Sequence, residues 1–202
     1  GLIQILSGAA RIGDIREASL ARDGETLWVA SREDTGADLQ LQGEIPEDKE
    51  VDGSKLGSIK NAFSWARFHD VLSPGADPEA TGLAQPSTFV AREFGGIVYT
   101  VAIGGKTEDG KYHLAVQAAY EGPETRTPGE DEKPEDKEKL DQEFEKTLAE
   151  ARKKVAELNA RTQGRVYLVD SWGVDSVVKT RDELLKDKPK PAAEPAAEAA
   201  AE

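Results

Sequence analysis

The 202-residue chain has no cysteine. That single absence excludes disulfides, thiolate catalysis, iron–sulfur clusters and cysteine-type zinc sites. It assigns no compartment, because cysteine-free chains occur on both sides of a membrane. Methionine is missing as well, even at position 1, so the sequence is expected to be a piece excised from a longer protein, with any anchor or signal upstream. No stretch approaches the roughly 20 apolar residues of a membrane helix. The opening "GLIQIL" is too short for the core of a signal peptide and lacks a basic flank. Aromatics are sparse, at 6% of residues, and only two histidines occur, His69 and His113. Zinc would require both histidines beside two or more carboxylates, and nothing in the spacing provides that.

What the chain does have is charge. Charged residues make up 32% and apolar residues only 38%, with 39 acidic against 26 basic side chains and a net charge of −13. Such a balance repels phosphate backbones and anionic lipid heads, which argues against nucleic-acid binding. Two segments are too polar to offset the entropy of ordering them. One is the acidic insert 121–139, with three prolines; the other is the Pro/Ala/Glu tail 187–202. Both are expected to be disordered. The reading therefore divides the chain into a lead-in (1–13), the first part of a domain (14–120), the insert, the completion of the domain (140–186) and the tail.

Within the domain, hydrophobic periodicity predicts the elements. "DIREASLARDGETLWVASRE" reads as two strands around an Asp23-Gly24 turn. "ADLQLQGEI" alternates, with Leu39 and Leu41 on one side and Gln40 and Gln42 on the other. Asp52 starts a helix whose stripe is Leu56, Ile59, Phe63 and Ala66, stopped by Pro74 and Pro78. Three strands follow as a meander, turned at Gly95-Gly96 and at Glu108-Asp109-Gly110. A long helix carries Leu140, Phe144, Leu148, Ala151, Val155 and Leu158. Then come a short strand, "RVYLVD", and a last helix with Val174, Val177, Val178 and Leu185. Strand runs with helices set between them predict an α+β fold: a mostly antiparallel sheet with helices on one face, built as two βββα-like halves if the weak similarity is an old duplication.

Candidate chemistry is thin. "IGGKT" (103–107) ends like a phosphate-binding loop, but Thr100 stands where the motif needs glycine, and a strand rather than a helix follows. A hairpin is the simpler reading. No G-x-S-x-G elbow and no calcium-loop spacing occur. In "VYLVDSWGVDSVV" (166–178), Asp170 and Asp175 resemble a carboxylate pair. The strand-to-helix position favours Asp170 or Ser171 as a helix cap, with Asp175 in the first turn. Trp65 and Phe68 lie off the helix stripe in "FSWARF" and form either a second packing surface or a partner-binding patch. His113 falls on the strand face opposite Tyr112, Leu114 and Val116, with Gln117 nearby. Trp65, Phe68, His113 and Gln117 are thus the candidate interaction surface; no catalytic, metal or cofactor residues are assigned.

"GEIPEDKEVDGSKLGSIKNAFSWARFHDVL", "ADPEATGLAQPSTFVAREFGG", "YTVAIGGKTEDGKYHLAV" and "GRVYLVDSWGVDSVVKTRDELL" follow one another in an order that resembles the domain of unknown function 4340 family. The matching features are Asp70-Val71, the turn from Ala80 to Pro86, Ile103-Gly104, Tyr112 and the terminal strand Val166 to Asp170. The resemblance covers roughly residues 14 to 186, apart from the insert. It implies a bacterial envelope protein with an N-terminal membrane anchor, associated with ABC-type transport or gliding-motility systems, and it carries over no catalytic residues. The expected function is accordingly a non-catalytic, extracytoplasmic, membrane-tethered accessory domain that binds a protein partner. The alternative is a carbohydrate-binding or glycoside-processing envelope module, which would need an aromatic platform or two carboxylates in a cleft.

Overall fold

The computed structural model describes residues 14–60, 68–72 and 77–191, those at 68–72 by their backbone. The elements are β1 (Ile15–Arg22), β2 (Glu25–Ser31), β3 (Gln40–Leu41), β4 (Lys49–Val51), α1 (Gly53–Lys60), β5 (Phe68–Leu72), α2 (Pro78–Thr81), β6 (Ser87–Glu93), β7 (Ile97–Lys106), β8 (Lys111–Tyr120), α3 (Lys137–Thr162), β9 (Val166–Asp170), α4 (Ser171–Asp175), a 3₁₀ turn (Asp182–Leu184) and β10 (Leu185–Asp187). Eight strands form one sheet in the order β3-β2-β1-β6-β7-β8-β9-β5, and every neighbouring pair is antiparallel. β4 and β10 make a separate two-stranded ribbon. The fold is α+β, as the periodicity predicts.

Alternation along each strand sorts side chains onto two faces. On the inner face a row of Trp28, Leu20, Phe89, Val101 and Val116 crosses five strands in register. All five are at most 8% exposed. Leu56 and Ile59 of α1, Leu158 of α3, and Val174, Val177 and Leu184 join the same buried cluster, so the helices cover this face. Trp28 and Phe89 meet at a tilted angle, with ring centroids 6.3 Å apart. The equivalent outer row is Val29, Ser19, Val90, Thr100 and Gln117, half-buried at four positions and exposed at Gln117.

Local chemistry explains the tight turns. Asp23 and Gly24 both adopt positive φ, 54° and 78°, the left-handed pair that suits the twist of a two-residue hairpin. Gly104 is fixed by packing instead: a Cβ there would lie 2.0 Å from the Thr81 carbonyl oxygen of α2. Gly104 of "IGGKT" therefore admits a neighbouring turn, and a strand, β8, follows where a phosphate loop needs a helix.

The last helix spans only Ser171–Asp175, so Val177 and Val178 lie beyond it and Leu185 opens β10, where pairing with Val51 replaces the local helical stripe. Three further expectations change. The helix begun near Asp52 is described over Gly53–Lys60; Phe63, Trp65 and Ala66 lie outside the described residues, and 68–72, expected within that helix, form a strand paired with β9. Cross-strand pairing of Val71 with Tyr167 and Leu72 with Val166 outweighs the apolar stripe, which only signals local helix. The strand expected around Leu39 shrinks to a two-residue pairing, although Leu39 and Leu41 are buried and Gln40 and Gln42 exposed as alternation requires.

The insert, third, has definite contacts that its composition did not indicate. The Arg126 guanidinium donates from Nη1 and Nη2 to the Glu132 carboxylate at 2.5 and 2.7 Å, and from Nε to Asp141 Oδ1 of α3 at 2.8 Å. Arg152 reaches Glu124 at 3.0 Å, so the insert runs back along α3. One arginine thus gathers acids that would otherwise repel, which a count of net charge cannot show. α3 itself is 26 residues long, but only Leu158 and Thr162 are buried; Leu140, Phe144 and Leu148 are half-buried. Among the described residues no helix is long and apolar enough to cross a membrane.

Candidate interaction cleft

The outer face of the sheet is interrupted beside β8. This strand pairs with β7 along its length, but with β9 only from Lys111↔Asp170 to Leu114↔Tyr167. Beyond Tyr167 the β9 line runs back through Val166 to the end of α3, whose chain turns at Gly164, φ 68°. Among the described residues, β8 beyond Leu114 has no strand neighbour on that side. At Ala118 the place of the strand is taken by the Asn159 side chain of α3. The Ala118 N–H donates to Asn159 Oδ1 at 2.8 Å, and Asn159 Nδ2 donates to the Ala118 carbonyl at 2.7 Å. A carboxamide has the donor and acceptor of a peptide unit, so it satisfies both main-chain groups at once. In an antiparallel strand alternate residues present their main-chain groups to the same side. Val116 therefore faces the same side, between the last β8–β9 pair, Leu114↔Tyr167, and the Asn159 contact at Ala118.

A cleft of about 670 Å³ occupies this place. Thr100, Ala102, Ala115 and Gln117 of the outer face form its floor, and Asn159, Thr162, Gln163, Gly164, Arg165 and Val166 form its wall. The volume falls within the usual range for ligand sites, about 300–1,000 Å³. Arg165 is the one ionised side chain in the lining, which otherwise combines small apolar groups with amides and hydroxyls. Among the described residues the lining contains neither an aromatic ring nor a carboxylate.

Of the four candidate surface residues, the structure places Gln117 in this cleft. His113 shares its strand face, four residues away, half-buried and opposite Leu168, outside the lining. Phe68 stands on the edge strand β5, across β9 from β8, and Trp65 lies outside the described residues. Sequence reasoning missed Asn159, Gln163 and Arg165. Asn159 did leave a signal: it is one of two asparagines in the chain, a weak helix former directly beside the buried Leu158.

The "DSWGVDS" segment forms neither a carboxylate pair nor a helix cap at Asp170. Asp170 is the residue before α4, but its side chain makes no cap hydrogen bond. Asp175 ends the five-residue helix rather than sitting in a longer first turn. Its carboxylate accepts from Tyr112 Oη at 2.7 Å and from Lys106 Nζ at 3.2 Å. Burial, and then the Asp175 carboxylate, push the Tyr112 phenol well above its ordinary range. A phenol held protonated donates steadily to Asp175, so the trio fastens α4 to the β7–β8 hairpin. Tyr99 is similarly raised by burial and by Glu93, with Lys154 5.9 Å above its ring. A second cleft, about 160 Å³, lies where Arg92 pairs with Glu121. Among the described residues no three His, Asp or Glu side chains converge as a metal site.

No family model matches the chain, and no curated protein or solved structure matches it.

Proposed function

We propose that this chain is a non-catalytic interaction domain that binds a protein partner in the cleft beside β8. The observation that carries the reading is the half-free β8 edge, which opens into a concave, largely uncharged cleft on an otherwise strongly acidic chain. Strand edges and uncovered sheet faces are common places for a protein segment to dock. The lining favours this reading over the carbohydrate alternative, because sugar platforms use aromatic rings and glycoside hydrolysis needs two carboxylates. The cellular setting, an extracytoplasmic accessory of an envelope or transport assembly tethered at its N-terminus, rests on the ordered resemblance to the domain of unknown function 4340 family.

Site-specific photo-crosslinking in the native host tests both parts. A photoreactive residue at Gln117 is expected to trap a discrete partner, whereas one at the exposed Ala149 of α3 is not. Equal labelling from the two positions, or none from Gln117, removes the cleft as the site. A trapped protein that is neither a transporter nor an envelope component removes the setting.

A further inference from the structure

We propose that the partner enters the cleft as a short extended strand on the β8 edge, and that the Asn159 carboxamide is the placeholder this strand displaces at Ala118. The inference rests on the interaction-domain reading and names its ligand: a main-chain segment of a protein, carrying a carboxylate toward Arg165. Three observations converge on it. Val116 presents its main-chain groups to the β9 side of β8, past the last β8–β9 pair, Leu114↔Tyr167. Asn159 makes at Ala118 the two hydrogen bonds a strand residue would make. The cleft is continuous from Ala115 through Ala118, four residues, or about 13 Å of strand at 3.3 Å each.

The placeholder has a physical purpose. An unpaired strand edge invites pairing with any exposed strand, including that of a second copy. A carboxamide closes the edge at a single residue and leaves the neighbouring one open. It can be exchanged for a peptide at little net cost, because each hydrogen bond lost is replaced by an equivalent one. Charge adds direction. Arg165 is the only ionised group among the described lining residues, so an acidic side chain on the incoming segment is favoured here although the chain as a whole is acidic.

The test uses the whole chain, ¹⁵N-labelled, and two end-blocked heptapeptides of alternating threonine and valine with one aspartate. In the second peptide the N–H groups of the pairing edge are methylated. Strand addition predicts that the first peptide shifts the Val116 and Ala118 amides and the Asn159 side-chain resonances, and that the methylated peptide does not. Asn159→Ala removes the competitor and should tighten binding roughly tenfold, the worth of about two modest hydrogen bonds. Arg165→Glu, at an exposed position, should weaken it. Shifts confined to Thr100 and Gln117, equal effects from both peptides, or weaker binding by Asn159→Ala would each overturn strand addition while leaving the cleft a binding site. No shift with either peptide, while Gln117 still traps a partner, also overturns strand addition alone. No shift together with no trapped partner removes both readings.

Discussion

Replacing Gly104 with alanine separates packing from ligand chemistry at the "GGK" segment. The added Cβ would sit 2.0 Å from the Thr81 carbonyl oxygen and 3.4 Å from that of His113. Ordinary carbon–oxygen contacts lie at about 3.3–3.6 Å, so the α2 turn or the β7 strand must retreat by about 1.3 Å. Neither yields easily. The obstructing atom is backbone, and the turn is held by Thr81 N–H to Asp77 O at 3.1 Å and Ala84 N–H to Pro78 O at 3.1 Å. Thr81 is also only 5% exposed. Overpacking of this kind costs about 1–3 kcal/mol, and the rigidity of both partners places Gly104→Ala in the upper part of that range. With a urea dependence of about 1–3 kcal/mol per molar, the unfolding midpoint should fall by about 1 M at unchanged slope. Gly105→Ala is the control. Its Cβ meets nothing within 4 Å, so its stability should stay within about 0.5 kcal/mol of the parent. Equal midpoints for the two variants would refute the packing account. A change in nucleotide binding by Gly104→Ala without loss of stability would restore the phosphate-loop reading.

Two further outcomes are expected. Leu158 is 2% exposed and anchors α3 to the sheet, so Leu158→Ala should cost about 2–5 kcal/mol. Phe144→Ala, at a half-buried position toward the helix start, should cost no more than about 1 kcal/mol; a reversed order in denaturant melts would show that the wrong end of α3 is the anchor. The insert should detach in acid. Hydrogen bonding to Arg126 lowers the Glu132 carboxyl from its ordinary 4.5, and Lys137 followed by Arg126 lowers that of Asp141 from 3.8. Depressed carboxyls contribute stability that is complete above those ordinary values and is lost as pH falls through the lower folded-state values. The Gly129 N–H, which donates to Glu132 Oε2 at 3.1 Å, reports this directly by its chemical shift. A midpoint at or above 4.5 would show that Arg126 does not hold Glu132, and Arg126→Gln should raise the midpoint.

The sequence alone determined the α+β class, the meander and its turns, the alternation that buries Leu39 and Leu41, and the existence of the long helix. Each depends on contacts between residues near in sequence, or on the two periods that separate strand from helix. Asp23-Gly24 was legible because left-handed backbone is cheap for that pair and suits only a few turns. The tertiary structure decided the rest. That 68–72 are an edge strand follows from pairing with β9, some 100 residues away, which no local stripe encodes. The contacts of the acidic insert depend on where Arg126 meets Asp141, and net charge contains no such information. The role of Asp175 depends on Tyr112, 63 residues before it, so a pair that looked catalytic or capping became a fastening. The cleft is the clearest case. Gln117 was visible as an exposed strand residue, but its partners come from the end of α3 and the start of β9. Only folding brings Asn159 to Ala118, because a free strand edge is defined by which strand fails to continue beside it, and that is a property of the assembled sheet.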